Sequence, residues 1–525
     1  MITRLVPYKD IKVNFTRSSY KNWAIGLVLM LCVLAVGRTI MLYPGSVWVL
    51  AAFHFAFFAL LTSAWPRPRT DAYFFLAGFL FLGFWAKFTI HLIFPYPLLE
   101  PIGAFDASAS QWDLALSAAT AAALGAVFFR IVYLLIARRR LHYLRQETAA
   151  NSVPPDWYLR HPGKVWGGTI TLALILYAAN YFFAFFKTGV NPLLVLPFGM
   201  NAILAWGSFC GAALAFALLT GWELARRPEH FSPLVWSVCL FGIVASVSLA
   251  SRAISIFLFA AYATALAMHF PLVGKKLLAS WRWRLPLIMV VSLILGLILV
   301  SSFRLNHFLV PDISVASSES GLQGKILPQT APLPSVPRGA SPIATVETPT
   351  TSPRWIVMSQ STMFKQVMQL SVDRWIGLEG MLTVTGSPER GSVLLAAGLR
   401  ESPLKGGDSI YQRMSSSTYI FQPGYTFLTL PGAPAILFYS GSLILVLGGM
   451  FFFAGILTFT ENFGMRMTGS RFVGSVLGIF MANAVCQMNF PYLWMIFMIE
   501  TVIALGVIGV LRHWSDKIST RALSA

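Results

Sequence analysis

The sequence predicts an all-α polytopic membrane protein with about 12 transmembrane helices. Apolar runs of about 20 residues, the length that crosses a bilayer as a helix, recur along the chain. Only 11% of the residues are charged, whereas soluble domains carry roughly a quarter. The segments between the runs are rich in Lys and Arg, as cytoplasmic loops of membrane proteins are.

The apolar runs set the expected spans and the basic segments set their orientation. The predicted spans cover residues 24–42, 46–64, 71–93, 112–136, 166–187, 200–224, 233–250, 252–270, 285–302, 431–459, 471–489 and 491–510. The basic segments are the N-terminal tail, WPRPRT (65–70), ARRRLHYLR (137–145), LARR (224–227), GKKLLASWRWR (274–284), FGMRMTGSR (463–471) and the C-terminal tail. They form every second connection, so twelve spans with both termini cytoplasmic satisfy the positive-inside rule. The net charge of +19 therefore reports topology, and we expect no nucleic-acid partner.

The cysteines and the first apolar run carry no targeting or metal signal. Cys32, Cys210, Cys239 and Cys486 lie inside apolar runs without paired spacing. Such cysteines are typical of a hydrophobic core and do not indicate a disulfide framework or a metal site. The first run is long and is followed by others, so we expect an anchor and not a cleavable signal.

One long connection divides the chain into three parts. We expect residues 1–302 to hold spans 1–9, residues 303–430 to form a large extracytoplasmic loop, and residues 431–525 to hold spans 10–12 and the tail. Within the loop, residues 311–353 are rich in Pro, Ser and Thr, a composition typical of flexible segments. Residues 361–384 have apolar residues at helical spacing, interrupted by Gly377 and Gly380, and GSVLLAAGLRESP predicts a further short helix.

A charged residue between two apolar runs is the first candidate site. In SLASRAISIF (248–257), Arg252 lies at the predicted outer start of the eighth span. A helix N-terminus presents free N–H groups and favours phosphate. Ser251 is a good N-cap residue and Arg252 offers a guanidinium fork suited to phosphate. The alternative is an arginine that extends to the outer head groups.

Further cations are expected at the same membrane depth. They are Arg38 at the end of the first span, Lys87 and His91 near the end of the third, and Arg304 and His307 after the ninth. Lys87 and His91 are one helical turn apart and share a face. Each alone fits an interface anchor, but together they predict an anionic ligand such as a lipid phosphate.

The loop after residue 353 offers residues suited to carbohydrate. Aromatic faces pack on sugar rings and charged groups bind hydroxyls and phosphates. The candidate residues are Arg374, Trp375, Glu379, Arg390, Asp408, Tyr411 and Arg413. An ordinary solvated loop is the alternative. His54, Asn180 and Glu500 lie deeper in apolar runs, where polar residues are functional hypotheses by default.

These features together resemble the O-antigen polymerase and ligase superfamily, most closely the Wzy-type polysaccharide polymerases. The resemblance rests on twelve spans, on the serine–arginine pair of SRAIS that opens an outer-facing span, and on RWIGLEG (374–380) and LPGAPAILFYSGS (430–442) around the large loop. The arginine-to-glycine spacing of that family differs here, because the next suitable glycine after Arg374 is Gly386. The histidine-rich loop of a ligase is absent, which favours a polymerase.

The resemblance implies a reaction and a location. Such enzymes join oligosaccharide repeats carried on undecaprenyl pyrophosphate at the periplasmic face of the bacterial inner membrane, without metal or cofactor. Cations would stabilise the leaving pyrophosphate, and a base would take the acceptor proton. We expect Glu379 as that base, with His307 and Asp408 behind it. Pyrophosphate would bind Arg252, Ser251, Arg304, Arg38, Lys87 and His91, and a chain-length regulator is a further expected partner.

Other functions remain open at this point. An O-antigen ligase shares the family features, and a flippase for lipid-linked oligosaccharides or another transporter shares the topology. A transporter predicts paired repeats, which are not visible in the sequence. A sugar transferase that uses polyprenyl-monophosphate donors predicts acids in the first outer loop, where RTIMLYPGS has none. A nonenzymatic subunit of an exopolysaccharide machine is also compatible.

Overall fold

A computed structural model describes most of the chain as helix. It describes residues 19–66, 69–94, 98, 100–150, 154–187, 194, 196–227, 231–251, 253–269, 284–308, 372, 375–402, 409–416 and 430–524. No strand occurs among these residues. The segment 311–353 lies outside them.

The described part of the chain forms nineteen α-helices. In chain order they are α1 Ser19–Leu42, α2 Val47–Ser63, α3 Asp71–Leu80, α4 Lys87–Ile93, α5 Ala109–Ala150, α6 Asp156–Arg160, α7 Pro162–Phe183, α8 Met200–Trp206, α9 Ala212–Arg226, α10 Phe231–Ser248, α11 Ala253–His269, α12 Arg284–Phe308, α13 Leu378–Gly386, α14 Ser392–Arg400, α15 Ile410–Ser415, α16 Ala433–Phe438, α17 Leu443–Thr468, α18 Arg471–Cys486 and α19 Pro491–Ser524. Two π-helical turns, Phe81–Ala86 and Gly207–Gly211, join α3 to α4 and α8 to α9.

The helices have the length and composition of a multi-pass membrane protein. Six of those searched in the described ranges are long and apolar enough to cross a membrane. They are Asp71–Ile93, Ala109–Ala137, Pro162–Phe183, Met200–Arg226, Leu443–Thr468 and Pro491–Trp514. Shorter apolar helices lie over the other six predicted spans. Helical membrane architecture is therefore established, whereas the number of crossings stays a prediction.

The short helix α18 lies at the centre of the bundle. Nearly all of its side chains are buried, and it packs against α3, α9, α11 and α17. Small residues allow this close packing, because a Cβ on Gly478 would lie 2.7 Å from the backbone nitrogen of Ala72. Close approach at small residues is typical of helices packed within membranes.

The long helix α5 forms a second axis of the fold. It packs against α2 and α17, and α13 from the predicted outer loop also rests on it. Its backbone stays helical to Ala150, through the ARRRLHYLR segment that we assigned to a connection. Ala, Arg, Leu, Gln and Glu are strong helix formers, so the helix continues beyond its apolar part.

The predicted tenth span, residues 431–459, is divided in the structure. The short α16 ends at Phe438, and the membrane-length helix α17 begins at Leu443 and extends to Thr468. Gly441 has φ 71°, which ends the first helix, and the Ser442 hydroxyl accepts a hydrogen bond from the N–H of Leu445. A glycine followed by an N-cap serine therefore moves the start of this helix.

Candidate functional site

Helices α3 and α4 form one continuous helix that carries Lys87. The π turn Phe81–Ala86 joins them without a break, and Lys87 is the residue that follows it. Such turns are frequent at functional positions. The Lys87 side chain is fully buried, with 0% exposure.

The outer-loop segment before α13 packs directly on this π turn. A Cβ on Gly83 would overlap the carbonyl oxygen of Ile376. Gly377 has φ 154°, and a Cβ there would lie 2.7 Å from the Phe84 ring. Both contacts require glycine. As a result α13, which begins at Leu378, starts beside Lys87.

Lys87 and Glu379 form a buried ion pair at this junction. The Lys87 ammonium donates to Glu379 Oε1 and to the carbonyl oxygen of Trp375 at 2.8 Å. Glu379 is 4% exposed. The structure thus brings together a residue that we expected to bind pyrophosphate and the residue that we expected to act as a base. Their mutual attraction offsets part of the high cost of removing two charges from water.

Tyr411 lies in the same buried cluster. Its hydroxyl is 3.4 Å from Thr383 Oγ1 on α13. Burial raises its pKa, and the nearby carboxylates of Glu379 and Glu100 raise it further. The phenol therefore stays protonated near neutral pH and can donate a hydrogen bond.

Three other predicted sugar-binding residues, Trp375, Arg390 and Arg413, belong to the described part of the loop. Trp375 is half-buried and Arg413 is exposed in the last turn of α15. Arg390 donates to the carbonyl oxygen of Ser387 at 3.0 Å, and its guanidinium lies 5.7 Å from the centre of the Phe438 ring. Burial lowers the pKa of Arg390.

The remaining predicted cations are only partly placed. Arg38 is exposed on α1, and His91 is half-buried one turn beyond Lys87. The backbones of Arg304 and His307 belong to the last turns of α12, and their side chains lie outside the described part. Three further predicted site residues, Arg252, Arg374 and Asp408, also lie outside the described residues.

The serines around residue 252 have structural partners. Helix α11 begins at Ala253, so Ser251, which we expected to be its N-cap, lies one residue too early for that position. The N–H of Ser251 donates to the carbonyl oxygen of Ser246 at 3.0 Å. The Ser248 hydroxyl donates to the Tyr177 carbonyl at 2.9 Å, and Asn180 donates to Ser248 Oγ at 3.1 Å. Asn180 therefore joins α7 to the α10–α11 turn.

His54, a deep polar residue in the sequence, is also fully bonded. Its Nδ1 accepts from the Trp85 indole at 2.7 Å, so the proton lies on Nε2. That nitrogen donates to Thr39 Oγ1 at 3.0 Å, and the threonine hydroxyl donates to the Val36 carbonyl at 2.8 Å. The histidine joins three helical segments and carries no open position for a ligand.

A second buried polar cluster lies at the other end of the Lys87 helix. Glu461 of α17 accepts hydrogen bonds from the N–H groups of Asp71 at 2.9 Å and Ala72 at 2.7 Å. The Ser475 hydroxyl of α18 donates to the Asp71 carboxylate. A carboxylate at a helix N-terminus is stabilised by the free N–H groups there. Asp71 and Lys87 are roughly 24 Å apart along one helix at 1.5 Å per residue.

Two arginines balance the acids of this second cluster. Arg130 of α5 is 1% exposed and donates to the carbonyl oxygens of Ser63 at 3.1 Å and Pro66 at 2.7 Å. Arg130 and Arg471 both interact electrostatically with Glu461. Sequence reasoning missed this cluster. Arg130 was the available signal, because it lies inside a predicted span, where a charge is a functional hypothesis.

Comparison with known proteins adds no assignment to either cluster. Neither a family model, nor a curated protein, nor a solved structure matches this chain. What the site can do therefore follows from the chemistry of its residues. A buried carboxylate beside a lysine and a protonated phenol can accept a proton, hold an anion and donate a hydrogen bond within one cluster.

Proposed function

We propose that this protein is a membrane glycan polymerase that joins undecaprenyl-pyrophosphate-linked oligosaccharide repeats to build an O-antigen or exopolysaccharide. The observation that carries the proposal is the meeting of Lys87 and Glu379 between the α3–α4 helix and the loop segment of RWIGLEG. This segment is one of those through which the sequence resembles Wzy-type polymerases. An acid and a cation at one junction are the two groups that the reaction needs.

The proposed topology puts this junction at the outer face. Twelve spans with both termini in the cytoplasm follow from the basic connections. The third span then begins inside at Asp71 and ends outside near Ile93. In this topology Lys87, His91 and the loop segment lie on the periplasmic side of a bacterial inner membrane, where lipid-linked repeats are joined.

The proposed chemistry is a single displacement at the anomeric carbon. The acceptor hydroxyl passes its proton to Glu379, its oxygen bonds to the anomeric carbon, and the bond from that carbon to the pyrophosphate oxygen breaks. Lys87 stabilises the negative charge that develops on the leaving group. Inversion at the anomeric carbon follows from one displacement.

In this proposal the ion pair is the resting arrangement of the two groups. Lys87 holds the Glu379 carboxylate in place while no substrate is bound. A pyrophosphate that approaches Lys87 competes with Glu379 for the ammonium and releases the carboxylate to accept a proton. Tyr411, which remains protonated, can donate to a sugar oxygen at the same time.

Glycan analysis of a strain that lacks this protein tests the proposal. We expect single repeats on the lipid carrier or on lipopolysaccharide. Full-length polymer that remains on the carrier would identify a ligase, and repeats trapped on the inner leaflet would identify a flippase. Either result, or an unchanged glycan, would overturn the polymerase assignment. The Arg252→Ala variant should reproduce the loss of polymer at equal expression, because Arg252 is a proposed pyrophosphate ligand.

A further inference from the structure

An apolar pocket lies at one end of the helical bundle. Five helices contribute to its lining near one of their ends: Leu224 of α9, Leu234 of α10, Leu266 of α11, Met289 of α12 and Phe472 of α18. The pocket is small, with a cavity volume of about 50 Å³, and part of it is open to the surroundings. It is therefore a narrow cleft between helices and not part of the Lys87–Glu379 cluster.

The position of the pocket follows from its contact with α18. Phe472 lies in the first turn of this helix, and Ser475 one turn further donates to Asp71. Asp71 begins the helix that carries Lys87 near its opposite end. The pocket therefore lies at the Asp71 end of the bundle, away from the proposed catalytic junction.

The polar atoms in the lining are already satisfied. Thr220 Oγ1 donates to the Phe216 carbonyl at 2.8 Å and lies 3.3 Å from the Tyr262 hydroxyl. The Cys239 side chain is a weak hydrogen-bonding group. The lining thus offers a ligand only hydrocarbon. An apolar cavity of this kind does not hold water, and its walls gain dispersion contacts only when an apolar group fills it.

The sequence is basic where the helices that line the pocket begin and end. LARRPEH (224–230) connects α9 to α10, GKKLLASWRWR (274–284) connects α11 to α12, and Arg471 directly precedes Phe472. Arg227 and Arg284 are exposed. Arg227 follows the pocket residue Leu224 by three positions, and Arg284 is the first residue of the helix that carries Met289. An apolar cleft whose helices carry exposed arginines at their ends complements an amphiphile that has a hydrocarbon chain and an anionic head group.

We infer that this pocket binds an acyl chain of an anionic phospholipid, with the lipid phosphate against Arg227 and Arg284. A phospholipid fits because a membrane supplies hydrocarbon chains of the right chemistry in contact with the cleft. Arginines near a membrane surface attract anionic lipids by about 1 kcal/mol each. This inference goes beyond the proposed polymerase activity and does not depend on it.

Photochemical labelling in a defined bilayer tests the acyl-chain part. The full-length protein is placed in phosphatidylcholine nanodiscs that contain phosphatidylglycerol with a diazirine on one acyl chain, and the labelled residues are mapped after irradiation. We expect adducts on residues that line the pocket. Ala263 lines the pocket and is exposed, so Ala263→Trp can fill the cleft without displacing core side chains and should abolish these adducts.

A matched variant controls for the added tryptophan. Ile256 is 44% exposed on the same helix, about two turns from Ala263, and it does not line the pocket. Ile256→Trp should retain the pocket adducts. Met289→Trp narrows the same cleft from α12 and replaces Ala263→Trp if that variant does not fold. Equal pocket labelling in wild type and in a folded pocket-filling variant would overturn the inference.

Removing the charge of each arginine tests whether the lipid phosphate binds there. Arg227→Gln and Arg284→Gln should each reduce phosphatidylglycerol labelling about fivefold. Neither should change labelling by a phosphatidylcholine probe with the same chain. Equal labelling by the two probes in the wild-type protein would overturn the anionic-lipid assignment. Displacement of the phosphatidylglycerol adducts by polyprenyl phosphate would assign the pocket to the carrier lipid and would also overturn it.

Discussion

Lys87 on α4 and Glu379 on α13 form a buried ion pair between parts of the chain that are 292 residues apart. The pair joins a helix of membrane-spanning length to α13, which belongs to the predicted outer loop. Lys87 also holds the Trp375 carbonyl at 2.8 Å, so one ammonium fixes both the start and the first turn of the docked segment.

The stability of the folded chain should depend on both charges together. Lys87→Gln or Glu379→Gln alone leaves a buried charge without its main partner, which costs about 3–5 kcal/mol. The double variant removes both charges and should lose much less than the sum. Thermal unfolding of the detergent-purified wild type, both single variants and the double variant measures these losses of stability. Additive losses would show that the two side chains do not stabilise one another.

Docking of the loop segment should depend on the absence of a side chain at Gly83. Gly83→Ala places a methyl group against the Ile376 carbonyl, so the segment must move away from the π turn. We expect faster proteolysis of residues 375–402 in the variant. Gly78 lies in the same helix, and a Cβ added to it would have no neighbouring atom within 4 Å, so Gly78→Ala is the matched control. Equal cleavage in both variants would contradict the close packing.

The second polar cluster should be structural and should depend on both carboxyl oxygens of Glu461. Glu461→Gln replaces one of the two acceptor oxygens by an amide NH2 group and so removes one hydrogen bond to a backbone N–H. A buried donor without an acceptor costs about 1–3 kcal/mol. We expect a clear decrease in melting temperature. Glu500→Gln is the control, because Glu500 is half-buried on α19 and makes no hydrogen bond within the described residues. A similar melting temperature for both variants would argue against the cluster.

Stability should also change with pH through Glu401. Its carboxylate accepts from the Ile410 N–H at 2.7 Å, but burial is the larger effect and raises its pKa above the ordinary 4.5. A raised pKa means that the folded chain binds this proton more tightly than the unfolded chain does. Its stabilising contribution is therefore complete below pH 4.5 and is lost as the pH rises through the folded-state pKa.

The Glu401→Gln variant isolates this effect. Glutamine keeps an acceptor for the Ile410 N–H but cannot ionise, so the melting temperature should fall less as the pH rises. The variant should also be more stable than the wild type at neutral pH. Melting curves over a pH series measure both differences. The same pH dependence in the two proteins would assign the titration to another group.

The helices could be predicted from the sequence because apolar run length is a local property. Helices lie over all the predicted spans, although the tenth is divided between α16 and α17. The short helix predicted from GSVLLAAGLRESP is confirmed as α14. The start of α17 could not be placed from the length of the apolar run, because apolar residues continue on both sides of the turn. There the local signal was the Gly441–Ser442 pair, which ends one helix and caps the next.

The site residues could be selected but not paired. Both residues were chosen from the sequence, but for different tasks. Lys87 was expected to bind pyrophosphate because it is a cation near the end of an apolar run. Glu379 was expected to act as the base because it is an acid in the outer loop. Their contact depends on the π turn and on the packing of Ile376 against Gly83. Neither feature produces a periodic pattern of apolar residues in the sequence. Asp71 and Glu461 were missed because each lies at or beyond the edge of a predicted span.

The most direct test of the central claim separates the chemistry of the ion pair from its structural role. The Lys87→Gln/Glu379→Gln double variant is expressed at matched membrane levels in a strain that lacks the wild-type protein, beside Glu389→Gln, which changes an exposed residue of the same segment. If the pair acts in polymerisation, the folded double variant accumulates single lipid-linked repeats while Glu389→Gln makes polymer of normal length. Polymer of normal length from the double variant would contradict a role of the Lys87–Glu379 pair in polymerisation.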